Sequence, residues 1–230
     1  MKTEVFVNEK KEKQAYDGIY NHIIKRLLDV TISGFALLLL WPVYLIIAFL
    51  ILLEDGRPVF YRAERGGYLG KSFKICKFRT MVRGADKIGG GTTALNDSRI
   101  TKIGNLLRKT KLDEIPQIAQ VFVGKMSLIG PRPELIKYVN QYNDIEKDIL
   151  KVRPGITDFS SIEFISLDEI VGEEENADLV YEKYVLKRKN YLRVKYSHSV
   201  SFLTDFNILM KTIKAVFDKT VNFLMKKDHK

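Results

Sequence analysis

Residues 30–53 read VTISGFALLLLWPVYLIIAFLILL, and none of these 24 residues carries a formal charge. At about 1.5 Å of rise per residue, a straight helix of this length would cross the hydrocarbon core of a bilayer. A buried core helix is the alternative, but so long an uncharged run is unusual in a small soluble domain. The stretch also begins too far from the N-terminus to be a signal peptide. The sequence therefore predicts a membrane segment.

The middle of this segment predicts a helix break. Pro42 follows Trp41 directly, and proline removes a backbone donor and clashes with the preceding turn of a helix. Lys25 and Arg26 precede the segment and arginines follow it, and positively charged flanks prefer the cytoplasm. A straight crossing stays open, but basic residues at both ends favour a re-entrant hairpin over residues 22–53, with its ends on the cytoplasmic side.

The overall composition limits the class of partner. The 230 residues carry 38 Lys and Arg against 28 Asp and Glu, a net charge of +10, which indicates anionic partners. Cys76 is the only cysteine, so the chain has no intramolecular disulfide. No nucleic-acid-binding motif accompanies the charge, and the long apolar run argues against nucleic acid as a partner. Phosphorylated substrates and an anionic membrane surface therefore remain as the candidate partners.

An adjacent pair of acids is the main candidate for chemistry. Asp113 and Glu114 lie where the sequence predicts a helix N-terminus, and the helix dipole there favours ionised carboxylates. Such a pair suits Mg²⁺, which proteins bind through one or two carboxylates together with substrate phosphates. One carboxylate can instead attack phosphorus directly. An ordinary helix cap with a first-turn Glu is the alternative without any function.

Basic residues around the acids favour a phosphate substrate. Arg108 lies shortly before the acids, Arg132 lies between two prolines, and Arg153 precedes another proline. Guanidinium groups bind phosphate oxygens with a two-pronged geometry. Lys77 and Arg79 share one face of a predicted strand and can act on one anion, although on their own they favour a solvated strand edge.

The pattern divides the chain into four segments and predicts an α+β fold that is mostly helical. A polar tail occupies residues 1–21, and the re-entrant membrane helix follows at 22–53. Residues 54–198 form the candidate catalytic domain, with short strands and several helices. Residues 199–230 form an amphipathic helix that lies either in the membrane interface or on the protein's own core.

Several blocks of sequence resemble the bacterial sugar transferase family, the monotopic polyprenyl-phosphate phosphoglycosyl transferases. The apolar segment with its central proline is one shared feature. The others, in chain order, are residues 25–29 (KRLLD), 58–62 (PVFYR), 77–81 (KFRTM), 97–104 (DSRITKIG), 107–109 (LRK), 112–117 (LDEIPQ), 126–133 (MSLIGPRP) and 152–157 (VRPGIT). Together they span about residues 22–157.

The resemblance implies a location and a two-step reaction. A small catalytic domain would lie on the cytoplasmic face of the bacterial inner membrane, held by the re-entrant helix and interfacial helices. Asp113 would attack the sugar-bearing phosphate of a UDP-sugar and release UMP, and polyprenyl (undecaprenyl) phosphate would then take the phosphosugar. Glu114, with Asp113, would hold Mg²⁺.

Phosphates would be neutralised by basic residues, and lipid headgroups would meet Lys25 and Arg26. The phosphate-binding set would be Lys77, Arg79, Arg108, Arg132 and Arg153.

The resemblance ends after residue 157. The family commonly continues with Gly-Trp, whereas residues 158–164 here read DFSSIEF, so no sugar or base contact is carried over. The transferred sugar, the glycan pathway and the oligomeric state, including a homo-oligomer, stay open. Two other functions also stay open: a non-catalytic membrane-associated scaffold, and a glycosyltransferase that releases UDP rather than UMP.

Overall fold

The structure is a computed structural model that describes residues 14–85, 97–167, 170, 172 and 177–227. Most of the predicted polar tail and the last three residues lie outside this range. The described part is mostly helical, with two small sheets, which confirms the predicted α+β class. The predicted four-segment division stays a prediction.

The apolar stretch forms one long helix. Helix α1 extends over Lys25–Asp55 and follows a π-helical turn at Tyr20–Ile24. Within the described residues, Tyr20–Asp55 is the one helix that is long and apolar enough to span a membrane. Helical backbone continues through Trp41 and Pro42, so the predicted break at Pro42 stays a prediction.

The rest of the described chain contains short elements and two longer C-terminal helices. The strands are β1 (Phe60–Arg65), β2 (Phe73–Phe78), β3 (Ser127–Ile129) and β4 (Gly155–Thr157). The helices are α2 (Lys102–Lys109), α3 (Gln117–Phe122), α4 (Ile136–Val139), α5 (Phe159–Glu163), α6 (Ala177–Val180), α7 (Lys187–Ser199) and α8 (Phe202–Lys227). Single 3-10 turns occupy Ala15–Asp17, Tyr68–Gly70, Leu112–Glu114 and Glu146–Lys151, and a π-helical turn at Tyr181–Leu186 leads into α7.

The two sheets have different topologies. Strands β1 and β2 pair antiparallel as a hairpin, with Arg62 opposite Cys76. Strands β3 and β4 pair in parallel, with Ser127 opposite Gly155. A side chain on Gly155 would lie 2.1 Å from the backbone nitrogen of Gly130, so only glycine permits this close approach. The contact fixes the chain that leads into Arg132.

Helix α1 is attached to the domain near both of its ends. Near the C-terminal end, Ile47 and Ile51 pack with the buried side chains of Phe78 and Leu107. The carboxylate of Glu54 accepts the backbone N–H of Lys102, at 2.7 Å, and so caps helix α2. Near the N-terminal end, the carboxylate of Asp29 accepts the backbone N–H of Leu128 on β3, at 2.9 Å.

The C-terminal helix α8 packs on the domain along one face. Ile208 is fully buried in a cluster with Tyr196 and Val152, and Thr212 hydrogen-bonds Thr157 on β4. The opposite face exposes apolar side chains, among them Leu203, with 78% of its surface exposed, and Phe217, with 66%. One face of this helix therefore packs on the protein's own core, and a position of the other face in the membrane interface stays a prediction.

Candidate active site

Asp113 lies in the 3-10 turn that joins helices α2 and α3. Lys111, with φ of 59°, provides the left-handed residue that starts this turn. Leu112 and Ile115, on either side of the acid pair, pack against the apolar cluster under the C-terminal half of α1. The side chain of Asp113 is itself buried. The predicted helix N-terminus is therefore a single turn, and helix α3 begins only at Gln117.

Glu114 is held by two cations. Lys77 Nζ on β2 lies 2.9 Å from Oε1, and Arg132 Nη1 lies 2.9 Å from Oε2. A second nitrogen of the same guanidinium contacts Oε1, so the pair has the two-pronged geometry of an arginine–carboxylate bridge. The structure thus brings together three of the residues that the sequence singled out.

The loop that carries Arg132 is fixed by its neighbours. The backbone N–H of Arg132 donates to the carboxylate of Asp158, at 3.1 Å, and its Nη1 also donates to the carbonyl of Ile156, at 2.8 Å. Strand β4 supplies that carbonyl, and the close contact between Gly130 and Gly155 holds β4 against the loop. The position of the guanidinium is therefore set before any ligand binds.

The two carboxylates differ in their electrostatics. Burial raises the pKa of Asp113, Lys77 opposes that rise, and the negative charge of Glu114 adds to it. Burial opposes ionisation of Glu114 as well, but Arg132 and Lys77 outweigh it and hold its pKa well below the ordinary value. Glu114 is thus a fixed anion within its ion pairs. Among the described residues, Asp113 Oδ1 is buried and has no hydrogen-bond partner.

The acid pair faces a large cavity of about 1290 Å³. Binding sites for drug-sized ligands have volumes of roughly 300–1,000 Å³, so this cavity has room for more than one such group. Cationic side chains from separate elements surround the acids within it: Lys77, Arg108, Lys111 and Arg132. A cavity with this lining suits a substrate that carries several negative charges.

Two of the predicted phosphate-binding residues have other contacts. Arg79 borders the cavity, but its Nη2 donates to the carbonyl of Gly56, at 2.6 Å, and its Nη1 lies 3.2 Å from the carboxylate of Asp55. These contacts stabilise the C-terminus of α1, and the predicted role of Arg79 in phosphate binding stays a prediction. Arg153 stacks over the ring of Tyr68, 5.0 Å from the ring centroid, and is not among the residues that line the cavity.

The predicted headgroup ligands also have partners within the protein. Lys25 is 5% exposed and forms a buried ion pair with Asp205 on α8. Arg26 donates to the carbonyls of Val121 and Phe122, at 2.7 and 2.8 Å. These carbonyls lie at the C-terminal end of α3, so both basic residues attach the start of α1 to the domain.

The cavity contains basic residues to which the sequence gave no role. Lys111 lies two residues before Asp113, and burial lowers its pKa. This closeness to Asp113 in the chain was the available signal. Arg65, at the end of β1, and Lys189, on α7, also line the cavity. Lys189 lies in a charged region, acidic and then basic, that contains no recognisable motif, so no local signal distinguished it.

The acid pair has donor atoms that fit Mg²⁺. Asp113 Oδ1 has no partner, and Glu114 Oε2 receives only Arg132 Nη1 among the described residues, so each oxygen retains a lone pair. The described residues contain no cluster of three or more metal-ligating side chains. The remaining ligands of such an ion would have to be substrate oxygens and water, as is usual for Mg²⁺.

Fold and site together define a membrane-associated protein with a buried acid pair in a cationic cavity, the kind of site expected of a phosphate-transferring enzyme. Sequence comparison agrees, because residues 20–219 match the bacterial sugar transferase family. The chain belongs to that family.

Three relatives illustrate the similarity. The chain is 41% identical over 193 residues to the UDP-glucose:undecaprenyl-phosphate glucose-1-phosphate transferase of Escherichia coli (strain K12). It is 35% identical over 207 residues to the exopolysaccharide production protein ExoY of Rhizobium meliloti (strain 1021). It is 32% identical over 202 residues to the UDP-N-acetylgalactosamine-undecaprenyl-phosphate N-acetylgalactosaminephosphotransferase of Aeromonas hydrophila.

The matched regions differ in extent. They cover 81%, 84% and 84% of this chain in that order, and 40%, 84% and 43% of the three relatives. The chain thus spans less than half the length of two of these relatives and most of the length of ExoY.

Proposed function

We propose that the chain transfers a sugar 1-phosphate from a UDP-sugar to a polyprenyl phosphate, undecaprenyl phosphate in a bacterial membrane, and releases UMP. The main support for this proposal is the geometry of the acid pair. Asp113 is buried, and its Oδ1 has no hydrogen-bond partner among the described residues. Glu114 beside it is held by ion pairs with Lys77 and Arg132. The names of the relatives supply the substrate class. The reaction would begin the synthesis of a polysaccharide or another glycoconjugate.

In the first step, a carboxylate oxygen of Asp113 attacks the phosphorus that bears the sugar. The bond from that phosphorus to the bridging oxygen breaks, and UMP leaves with the electron pair. Arg132, Lys77 and Arg108 neutralise the charge on the phosphate oxygens, because phosphoryl transfer depends mainly on positioning and electrostatic stabilisation. In the second step, an oxygen of polyprenyl phosphate attacks the same phosphorus and restores the carboxylate of Asp113.

A covalent intermediate suits two substrates of different solubility. A water-soluble donor and a lipid acceptor would use the same site in turn, because the phosphosugar stays on Asp113 between the steps. Mg²⁺, bound by Glu114 and Asp113, would supply additional charge neutralisation at the diphosphate.

The contacts of α1 support the re-entrant arrangement. Its buried residues occur only near its two ends, at Lys25, Asp29 and Ser33 and at Ile47 and Ile51. The hydrocarbon core of a bilayer is about 30 Å thick, and the ends of a crossing helix would be on opposite sides of it. Both ends of α1 contact the same small domain, which favours entry and exit on one face, with the bend at Trp41 and Pro42.

The exposed face of α8 supports a position at the same membrane surface. Leu203, Ile213 and Phe217 are each more than half exposed, and Lys211 and Lys214 lie beside them on the helix. A helix with an apolar face and flanking lysines suits the interface of an anionic bilayer. The basic flanks of α1 support a position of the domain on the cytoplasmic side of the inner membrane.

An activity assay tests this function. The purified full chain is incubated in detergent with undecaprenyl phosphate, Mg²⁺ and a panel of UDP-sugars. We expect UMP and a lipid-linked sugar phosphate from at least one donor, and loss of both after chelation with EDTA. Without acceptor, one donor should add the mass of a sugar phosphate to the peptide that contains Asp113. UDP as the released nucleotide would indicate a glycosyltransferase, and no turnover with any donor would favour a scaffold.

Lys77→Met is expected to shift the acidic limb of the pH profile of kcat/KM to higher pH. Asp113 must be ionised to attack, so activity is present above its pKa and is lost as the pH falls through it. Lys77 lowers that pKa against the effect of burial, so removing its charge raises the pKa further. The profile is measured as UMP release.

A control for this variant is available on the same strand. Lys74 is exposed on the opposite side of β2, so Lys74→Met should leave the acidic limb in place. An unchanged limb in Lys77→Met, whatever its rate, would contradict the assignment of that limb to Asp113.

A further inference from the structure

One side of the cavity forms a lobe in which aromatic rings surround a lysine. Lys189 on α7 is 8% exposed, and its Nζ lies 4.9 Å from the ring centroid of Tyr181 and 5.5 Å from that of Phe164. These three residues, with Tyr138, line the cavity and define what we call the aromatic lobe. The mechanism proposed above assigns no role to it.

Lys189 has no anionic partner within the described residues. Its Nζ makes no hydrogen bond or ion pair there, because the nearby Glu134 is engaged by Arg193, at 3.1 Å, and by the hydroxyl of Tyr181. Burial lowers the pKa of Lys189 to about 7, and the positive charge of Arg193 adds to this effect. An amine that lines a cavity and has no partner among the described residues can donate to a ligand that enters the cavity.

The aromatic lobe begins where the phosphate-binding part of the cavity ends. Arg132 binds Glu114 with its guanidinium, and its own backbone N–H donates to Asp158, the residue before helix α5. Glu134, two residues further along, also lines the cavity and accepts a hydrogen bond from the hydroxyl of Tyr181 in the aromatic lobe. A substrate whose phosphate contacts Arg132 would therefore place the group attached to that phosphate in the aromatic lobe.

We propose that the aromatic lobe holds the sugar ring of the donor and that Lys189 donates a hydrogen bond to one of its oxygen substituents, which makes Lys189 a specificity-determining residue. This inference rests on the proposed function. The phosphorus that Asp113 attacks bears the sugar directly, whereas the uridine is one phosphate further away, so the space beside Arg132 is filled by the sugar.

Two further observations support the sugar over the uridine. Phe164 belongs to residues 158–164, the stretch in which this chain departs from the pattern it otherwise resembles. The names of two relatives share UDP and undecaprenyl phosphate but differ in the sugar, glucose in one and N-acetylgalactosamine in the other. Residues that differ within such a set are expected to contact the group that differs.

Lys189→Met tests the inference, because methionine keeps the apolar stem of the side chain and removes the amine. With the full chain, undecaprenyl phosphate and Mg²⁺, kcat/KM for UMP release is measured for UDP-glucose, UDP-galactose and their N-acetylated analogues. The donor that wild type prefers should lose about 10- to 100-fold, the effect of one hydrogen bond from a charged group. Its advantage over the other donors should shrink by about the same factor.

The inhibition constant of UMP provides the second measurement, since UMP has the uridine but no sugar. It should stay unchanged in Lys189→Met and in the control Lys187→Met, whose lysine is exposed on the same helix. If the methionine variant does not fold, Lys189→Arg provides the test instead. It keeps the positive charge but moves the hydrogen-bonding N–H groups, so it should alter the order of preference among the UDP-sugars.

The outcomes separate the inference from the function on which it rests. An equal loss for all donors, or an unchanged order of donors in both Lys189 variants, would reduce Lys189 to a structural residue. Weaker UMP inhibition would assign the aromatic lobe to the nucleoside instead. Wild type that releases no UMP from any donor would overturn the proposed function itself.

Discussion

Asp113→Asn is expected to lower kcat/KM for UMP release by on the order of 10⁴-fold, the scale of loss when a covalent nucleophile is removed. Asparagine has nearly the same shape, and among the described residues Asp113 Oδ1 has no hydrogen bond to lose. The fold should therefore survive. An amide does not attack phosphorus at a useful rate, so neither UMP nor the sugar-phosphate adduct should form.

The measurement is a UMP assay combined with intact-protein mass spectrometry in the absence of acceptor. Asp144→Asn is a suitable control, because the side chain of Asp144 is 97% exposed and distant in sequence from the site. Thermal unfolding of both variants in detergent would show that the change is local. A lipid-linked product formed by Asp113→Asn at the wild-type rate would exclude covalent catalysis by this residue.

The acid pair was predictable from sequence, but its electrostatics were not. Adjacency of Asp113 and Glu114 and the nearby arginines indicated a phosphate site. The sequence suggested that a helix dipole keeps both acids ionised, whereas burial raises the pKa of Asp113 and two cations lower that of Glu114. This difference depends on Lys77 and Arg132, which are distant in sequence and meet only through the β1–β2 hairpin and the β3–β4 pair.

Basic residues were the least predictable part of the site. Arg132 and Lys77 lie beside the acid pair, whereas Arg79 and Arg153 contact the end of α1 and Tyr68. A guanidinium binds backbone carbonyls and aromatic rings as readily as phosphate, and sequence spacing does not distinguish these partners. Only the three-dimensional neighbours decide which role a given arginine has.

The mostly helical α+β class of the fold could be predicted from the sequence. The uncharged run at residues 30–53 predicted the long apolar helix, and short strands were expected in the domain, but their pairing as the β1–β2 hairpin was not predicted. The attachment of α1 to the domain was not predictable. It depends on polar side chains of α1, such as Lys25 and Asp29, whose partners lie about 100 to 180 residues further along the chain.

Asp205→Ala is expected to destabilise the protein by about 3–5 kcal/mol, because it leaves the buried ammonium of Lys25 without its counter-ion. The carboxylate of Asp205 also accepts hydrogen bonds from Tyr20, at 2.7 Å, and from Tyr196, at 2.6 Å. One side chain on α8 thus holds the start of α1 through Lys25 and Tyr20. Its loss should loosen the membrane helix from the domain.

Denaturant unfolding of the full chain in detergent would measure this loss, with Asp218→Ala, an exposed acid on the same helix, as the control. The double variant Lys25→Met/Asp205→Asn should recover part of the stability, because it leaves no buried charge unpaired and its amide oxygen can still accept from the tyrosine hydroxyls. The two possible roles of Lys25, an ion pair with Asp205 or contact with lipid headgroups, predict different results. If Lys25 instead met lipid headgroups, Lys25→Met alone would leave the stability in detergent unchanged and would weaken binding to anionic vesicles.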